Sequence, residues 1–244
     1  MIDIHCHILP DFDDGAADLD EALEMARMAV ASGVTDIIAT PHFQGGRNAL
    51  EQVPIINRQF QRLSAALQQE KIPLRLHPGA EVLCVTETAA LAAAHQLPTL
   101  GQTDYVLTEF YFDESFAFMD DLLQQIADSG YLPVVAHPER YVAIARDPEL
   151  IRRWARLGYV IQLNKGSVLG AFGSRAEQAA NQILAMGIAH VIASDAHSCR
   201  SRTPHMGALQ QWLSEMCEPE YAAILLEENP CRLLRGRPMV GMED

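Results

Sequence analysis

Two histidines near the start of the chain have the spacing of a metal-binding pair. His5 and His7 are two residues apart in an apolar run, so in a β-strand their side chains point to one face while Cys6 points to the other. Imidazole is the commonest protein ligand for metals, yet the same spacing also occurs in ordinary strands. The pair alone leaves both interpretations open, and the rest of the sequence must decide between them.

Metal-binding side chains recur where other apolar runs of the sequence end. Carboxylates buried together raise one another's pKa unless cations neutralise them, and mixed imidazole and carboxylate sets suit Mn, Fe or Zn. Such ions can activate a water as hydroxide and bind phosphoryl oxygens. With His5 and His7, the candidate ligands are Asp14, His42, Glu81, Glu109, His137, Asp195 and His197. This set predicts two to three divalent ions and phosphoester hydrolysis by a metal-bridged hydroxide.

Two arginines near these ligands are candidates for binding the phosphate. Arg140 follows His137 by three residues, and Arg202 follows His197 by five. A guanidinium group can bond two phosphate oxygens at once, although a surface arginine in an ion pair is the alternative for each.

Seven apolar runs carry most of these side chains. Each is followed by a loop and a helical pattern, and short continuous apolar runs are typical of buried parallel strands. The runs cover roughly residues 2–7, 35–42, 74–82, 105–110, 132–137, 159–164 and 190–197. Capping signals predict helix starts at Asp18, Asp147 and Ser174. Glycines suited to left-handed C-caps predict helix ends at Gly33, Gly130, Gly158 and Gly187.

The repeated order of strand, loop, helix and glycine predicts an α/β fold. We expect a single-domain distorted (βα)7 barrel over residues 1–244, with the metal site at the C-terminal ends of the strands, where parallel barrels place their active sites. An open doubly wound sheet is the alternative, but no glycine-rich nucleotide-binding loop follows any of the runs.

Composition narrows the class of protein. A net charge of −14 argues against nucleic acid as a partner. The five cysteines are scattered without a C-x-x-C pair, which indicates reduced thiols. No apolar run approaches the ~20 residues of a membrane span, and the start of the sequence lacks a basic and apolar leader. We therefore expect a cytoplasmic protein without membrane insertion; its oligomeric state stays open.

The motifs that carry these ligands resemble the PHP (polymerase and histidinol phosphatase) superfamily. Within it they are similar to the bacterial manganese-dependent tyrosine-phosphatase branch, the CpsB/CapC/YwqE type, over almost the whole chain. The motifs are Asp3-Ile-His5-Cys-His7, Asp13-Asp14-Gly15, Thr40-Pro41-His42, Gly79-Ala80-Glu81, Glu109-Phe110, His137-Pro138-Glu139-Arg140 and Ser194-Asp195-Ala196-His197.

This resemblance implies an activity, a substrate and three ion sites. Phosphotyrosine would be the substrate, in the tails of bacterial tyrosine kinases that control capsule and exopolysaccharide synthesis, and Mn²⁺ the expected metal. Arg140 and Arg202 would bind the phosphate. The ion sites implied are His5, His7, Glu81 and Asp195 for the first, Glu81, Glu109 and His137 for the second, and Asp14, His42 and His197 for the third.

The sequence departs from the family pattern at two places. Asp11-Phe12 stands in the first loop where the family usually has Gly-Ile, and Lys165 stands where a small residue is usual. Lys165 could contact substrate, but solvent exposure is the more ordinary expectation because lysine is rarely buried. His205, near the last motif, has no assigned role.

Four other functions compete with this hypothesis. Cys231 and Arg237 have the C-x5-R spacing of cysteine-dependent phosphatases, but bulky residues replace the glycine-rich phosphate loop between them. Histidinol-phosphate phosphatase shares the metal chemistry. An amidohydrolase would carry a bridging lysine on the fourth strand, where Glu109 stands. A noncatalytic metal-binding partner of a kinase would have no need of both arginines.

Overall fold

Strands and helices alternate along the computed structural model, which describes residues 1–241. The strands are β1 (Ile2–Cys6), β2 (Asp36–Ala39), β3 (His42–Gln44), β4 (Arg75–Pro78), β5 (Glu81–Leu83), β6 (Tyr105–Glu109), β7 (Leu132–Ala136), β8 (Val160–Asn164) and β9 (Val191–Ala193). The helices are α1 (Leu19–Ala31), α2 (Val53–Gln69), α3 (Thr88–Ala93), α4 (Phe116–Asp128), α5 (Val142–Arg146), α6 (Ile151–Arg156), α7 (Lys165–Val168), α8 (Ser174–Ala185), α9 (Gly207–Met216), α10 (Pro219–Ala223) and α11 (Asn229–Leu234). All seven predicted apolar runs form strands.

The strands form a closed ring of parallel pairs. One sheet has the order β1-β2-β4 and the other β3-β5-β6-β7-β8-β9. The two sheets are continuous because β3 directly follows β2 along the chain, and β5 directly follows β4. The ring closes where Cys6 pairs with Ala196, His7 N donates to Ala196 O (2.8 Å) and Asp195 N donates to His5 O (2.9 Å). This confirms the predicted α/β fold with a distorted seven-stranded barrel.

An irregularity in β1 decides which way its histidines point. Asp3 pairs with Ile37 and Cys6 with Ala39, so β1 uses three residues where β2 uses two. An extra residue of this kind is a β-bulge, which reverses the alternation of side chains beyond it. Ile4 and His5 can therefore both face the barrel interior, although they are neighbours in sequence.

The lower part of the barrel interior is filled by apolar side chains. Because side chains alternate along a strand, Glu109 at the end of β6 lies on the same face as Leu107, one of these apolar side chains. The candidate metal ligands thus lie directly above a layer of buried apolar side chains. The cluster comprises Ile4, Ile38, Leu100, Tyr105, Leu107, Val134, Ala136, Val160, Val191, Ala193, Leu233 and Met239.

Most of the predicted helix ends are confirmed. Asp18 caps α1 by accepting from Glu21 N (2.9 Å), and Asp147 accepts from Glu149 N (3.2 Å) at the turn before α6. All four predicted C-terminal glycines have positive φ, from 69° to 90°. The prediction for Ser174 is wrong: Gly173 is the N-cap of α8, and Ser174 already lies inside the helix. A glycine can take the φ of 87° found there, whereas serine would be strained.

Within residues 1–241, none of the helices combines the length and apolar character needed to cross a bilayer. Residues 242–244 belong to the predicted domain but lie outside the described part of the chain, and the predicted single domain over residues 1–244 stays a prediction.

Candidate metal centre

The nine predicted ligands meet at the C-terminal end of the barrel. Ligand atoms within each of four overlapping groups lie within 4.8 Å of one another. The groups are His7, Asp14, His42 and His197; His5, His7 and Glu81; His5, His137 and Asp195; and His42, Glu81 and Glu109. Asp14 and His42 are the more exposed members, at 65% and 28%, so the first group forms the solvent side of the site.

The carboxylate of Glu81 lies at the middle of the cluster and is 1% exposed. Its Oε1 is 3.0 Å from His137 Nε2 and 3.2 Å from His5 Nε2, and its Oε2 is 3.3 Å from His7 Nε2 and 3.1 Å from His42 Nδ1. Burial raises the pKa of Glu81, but the neighbouring imidazoles outweigh it and hold this pKa well below its ordinary value. Because imidazoles face both of its oxygens, Glu81 is placed to be shared between groups of candidate ligands.

Two side chains fix the orientation of the paired histidines. Gln162 donates to Leu163 O (2.7 Å), so its Oε1 is free to accept from His5 Nδ1 (2.9 Å). His7 Nδ1 donates to Asp13 Oδ2 (2.9 Å). A neutral imidazole that donates from Nδ1 carries its lone pair on Nε2, and the two Nε2 atoms are only 3.3 Å apart. When both rings are neutral, two lone pairs would converge beside Glu81 and Asp195, and a cation, whether a proton or a metal ion, would stabilise this arrangement.

The pKa values of the cluster show the same need for positive charge. Burial lowers the pKa of His5 and of His7, yet the carboxylates around them raise these pKa values to about 9 and about 10. Burial and the charge of Glu81 raise the pKa of Glu109 to about 8. The carboxylates thus attract either protons or metal ions to this end of the barrel, and the donor set fits divalent metal ions of the Mn, Fe or Zn type.

Asp13 anchors the loop that covers His7. Besides His7, its carboxylate accepts from His42 N (2.8 Å) and Gly15 N (3.0 Å). Burial raises the pKa of Asp13, but the bond and charge of His7 outweigh it and lower the pKa to about 2. The loop passes so close that a Cβ on Gly15 would lie 2.1 Å from His7 O. Only glycine fits there without moving the loop.

Both candidate arginines bind the same carboxylate as the paired histidines. Asp195 Oδ1 faces His5 Nε2 at 3.4 Å, while its Oδ2 accepts from Arg202 Nη2 (2.6 Å) and Arg140 Nη1 (3.4 Å). Asn164 Nδ2 also donates to Oδ2. The two candidate phosphate-binding arginines and the candidate metal ligands therefore adjoin each other through one side chain.

Three residues of the site have left-handed backbone conformations. His137, Asp195 and Arg202 have φ values of 35°, 48° and 49°. Such conformations cost a non-glycine residue roughly 1–3 kcal/mol and cluster at functional sites. Here each follows the end of a strand or lies in the loop after it, and turns a functional side chain toward the cluster.

Comparison with known proteins gives the family. The model of the family described as "Capsular polysaccharide synthesis, CpsB/CapC" matches residues 1–235. The chain belongs to the CpsB/CapC family. It is 37% identical over 240 residues to the tyrosine-protein phosphatase YwqE of Bacillus subtilis, covering 97% of this chain and 92% of that protein. It is 28% identical over 243 residues to the tyrosine-protein phosphatase CpsB of Streptococcus agalactiae, with 97% and 99% covered.

Solved structures agree with this assignment. Crystal structures described as YwqE from Bacillus subtilis and CpsB from Streptococcus pneumoniae, unique metal-dependent tyrosine phosphatases, include a chain that matches with a TM-score of 0.87 and 35% identity. The match covers 98% of this chain and 96% of that one. A histidinol phosphate phosphatase from Lactococcus lactis matches with a TM-score of 0.54 and 15% identity over 99% and 97%. At that identity only the fold is shared.

The structure corrects the expectation for Lys165 in this CpsB/CapC chain. Lys165 does not face solvent: it is 8% exposed, and its ammonium donates to the backbone carbonyls of Thr203 and His205. Burial lowers its pKa. Lys165 thus fixes the loop that carries Arg202. His205 contributes its carbonyl, while its ring is next to Gly207.

The cysteine motif lies in a helix. Cys231 is in the middle of α11, and its neighbours are not arranged as a phosphate loop between a strand and a helix. This geometry gives no support to a cysteine nucleophile.

Sequence reasoning missed the side chains that position the candidate ligands. Asp13 appeared only within a motif, and Gln162 and Asn164 only within an apolar run. A signal was present for the last two, because both lie two residues apart in β8 on the face of Val160. Polar residues at interior-facing positions of a buried strand require partners, and here the partners are His5 and Asp195.

Proposed function

We propose that this chain is a metal-dependent protein-tyrosine phosphatase. It removes phosphate from phosphotyrosines of a bacterial tyrosine kinase that regulates capsule or exopolysaccharide synthesis. The observation that carries this proposal is Asp195, whose two oxygens face the histidines on one side and both arginines on the other. A phosphomonoester needs this combination, because its dianion must be bound by cations next to the water that attacks it.

The proposal includes two to three divalent ions, with Mn²⁺ as the expected metal. His5, His7, Glu81 and Asp195 would hold one ion, Glu81, Glu109 and His137 a second, and Asp14, His42 and His197 a third. The observed groups support the sharing of Glu81, which occurs in one group with His5 and His7 and in another with Glu109. When bound, the ions would supply an activated water and offset the negative charge of the phosphoryl group.

The side chains around this site have separate tasks in the proposal. Arg140 and Arg202 bind the phosphate oxygens, and their bonds to Asp195 hold both guanidinium groups at the edge of the cluster before substrate arrives. Gln162 and Asp13 keep the Nε2 atoms of His5 and His7 directed inward. Each of these groups is held by hydrogen bonds within the chain, and groups preorganised in this way favour the transition state.

The names of the relatives support the substrate. YwqE and CpsB are named tyrosine-protein phosphatases, and the family description refers to capsular polysaccharide synthesis.

A cytoplasmic location is also part of the proposal, and the five free cysteines of this chain are stable in a reducing compartment.

The test compares two substrates on the same protein. We expect the Mn²⁺-loaded protein to hydrolyse a phosphotyrosyl peptide with a higher kcat/KM than histidinol phosphate, because the relatives at 37% and 28% identity are named tyrosine-protein phosphatases. A preference for histidinol phosphate would contradict the proposal. So would a lack of turnover of both substrates by a folded, metal-loaded protein, the result expected for a noncatalytic partner. Cys231→Ser is the control variant and should retain full activity.

A further inference from the structure

Two aromatic rings enclose the guanidinium of Arg140 at the edge of the candidate metal centre. The Cζ atom of Arg140 is 4.4 Å from the ring centre of Phe112 and 4.3 Å from that of Phe172. The ring of Phe112 also lies 6.1 Å from the ring of His137, one of the candidate ligands. The two phenylalanines therefore lie between the guanidinium group of Arg140 and the protein surface beside the candidate metal centre.

A recess opens beside this arginine. Its volume is about 330 Å³, at the lower end of the range for small-ligand pockets. The aryl recess, as we call it, has five apolar lining residues, Phe112, Val142, Ala145, Phe172 and Ala176, and three charged ones, Glu139, Arg140 and Arg175. Arg140 lines this recess and also bonds Asp195 of the candidate metal centre, so a phosphate bound to Arg140 would lie at the border of the recess.

The backbone holds both rings in place. Phe112 O accepts from Val142 N (2.7 Å), which fastens the loop after β6 to the start of α5. Phe172 lies in a loop between Gly170 and Gly173, both with positive φ (75° and 87°). Its ring packs on Gly166, where an added Cβ would lie 2.6 Å from the ring. The loops that form the recess are thus fixed by contacts within the chain.

We propose that the aryl recess selects aryl phosphates over alkyl phosphates, with Phe112 and Phe172 as specificity-determining residues. Aromatic rings pack favourably against one another in offset or edge-on arrangements. A phenyl ester has a flat, apolar group that covers these side chains. An alkyl phosphate of serine or of a small metabolite leaves the same side chains exposed to water. The inference rests on the proposed function for the position of the phosphate and deepens it by naming the residues that recognise the tyrosine ring.

Calorimetric binding of two phosphonates to the Mn²⁺-loaded protein tests this proposal without requiring turnover. Phenylphosphonate and methylphosphonate share the head group that Arg140 bonds and differ only in the group offered to the recess. We expect the wild-type protein to bind phenylphosphonate more tightly. Phe112→Leu and Phe172→Leu should each reduce the ratio of the two dissociation constants by about three- to tenfold, because leucine keeps the volume apolar but removes the ring.

Phe60→Leu is the matched control. Phe60 lies on α2 and lines a different cavity with Phe43 and Leu97, so this variant should keep the wild-type ratio. If Phe112→Leu and Phe172→Leu weaken both phosphonates equally, the rings act only by holding Arg140, and the inference is wrong. Equal binding of both phosphonates to the wild-type protein also overturns it. A wild-type preference for phenylphosphonate, lost in both variants, combined with no hydrolysis of phosphotyrosyl peptide, would instead remove the proposed function and leave the recess standing.

Discussion

At the scale of single residues, side chains outside the candidate ligand set orient the ligands by hydrogen bonds. Gln162 is fully buried. Its side-chain oxygen accepts a hydrogen bond from His5 Nδ1, and its amide nitrogen donates to Leu163 O. Its orientation is therefore fixed, and with it the nitrogen that His5 turns toward Glu81. Partners of this kind are worth roughly 10- to 100-fold in metal affinity where they have been replaced in other sites.

Replacing Gln162 with methionine should weaken metal binding without unfolding the protein. Gln162→Met keeps the length of the side chain but removes the acceptor of His5 Nδ1, so we expect Mn²⁺ affinity to fall about 10- to 100-fold. Competition with a chelator measures the affinity, and far-UV circular dichroism checks the fold. The control is Gln211→Met on α9, where the exposed amide donates only to Glu215. Unchanged affinity in folded Gln162→Met would show that His5 needs no such partner.

At the scale of elements, the loop between β1 and α1 brings Asp13 and Asp14 over the barrel. Ala16 N donates to His7 O (3.1 Å), and the loop descends onto β1 at Gly15. A second contact comes from outside the loop, since Arg62 on α2 donates to Asp11 (2.6 Å). Asp11 thus ties the loop to α2.

Gly15→Ala should damage the site through the loop. The added Cβ would lie 2.1 Å from His7 O and 2.9 Å from Asp13 Oδ1, so the loop must move and carry both aspartates away. Because displacements of about 1 Å cost up to about a hundredfold in rate, we expect kcat/KM for a phosphotyrosyl peptide to fall at least about tenfold. Gly46→Ala is the matched control, since a Cβ there meets nothing within 4 Å. Equal activity of the two variants would contradict this explanation.

The pairing of β2 with β4 carries a charge network far from the site. Asp36, at the start of β2, accepts from Arg75 at 2.7 and 2.6 Å and from His77 at 2.8 Å. Burial raises the pKa of Asp36, but these bonds outweigh it and lower the pKa to about 2. A carboxyl whose pKa is lower in the folded protein stabilises the fold above its unfolded pKa of about 3.9. That stability is lost as the pH falls from about 4 to about 2.

Asp36→Asn should therefore remove stability at neutral pH and leave the activity of each folded molecule unchanged. We expect a loss of about 1–2 kcal/mol in the free energy of unfolding, a modest value because Arg75 is 72% exposed and water screens the pair. Urea unfolding at several pH values gives the difference between the two proteins, which should shrink as the pH falls below about 4. A difference that stays constant down to pH 2 would disprove the role of this charge.

At the scale of the whole molecule, the barrel interior is divided into an apolar lower part and a charged upper part. Leu233 and Met239 close the lower end from the C-terminal segment, and Tyr105 donates to Arg237 O (2.8 Å) there. The apolar cluster in the lower part of the barrel supports the strand ends. It also limits the access of water to the candidate metal ligands from that end of the barrel. Charges so confined interact more strongly than they would in solvent, which is the setting that metal-dependent hydrolysis requires.

Much of this organisation was predictable, and the exceptions have physical causes. Strand positions followed from apolar runs, and the meeting of His42 with Glu109 followed from parallel strands ending at one edge of the barrel. The bulge in β1 left no mark in the sequence, because it depends on pairing with β2. Lys165 was misjudged because only tertiary structure supplies buried carbonyls for its ammonium. The aromatic contacts of Arg140 join segments far apart in sequence, and no local pattern predicts them.

The central claim is that this CpsB/CapC chain hydrolyses phosphotyrosine with metal ions held at the strand ends. The most direct test is the rate of phosphotyrosyl-peptide hydrolysis by protein stripped of metal and then titrated with Mn²⁺, with metal content measured on the same samples. Activity should fall to background on stripping and return in proportion to bound Mn²⁺, reaching a plateau at two to three ions per chain, because water activation at this site depends on them. Full activity in protein shown to contain no metal would contradict the account.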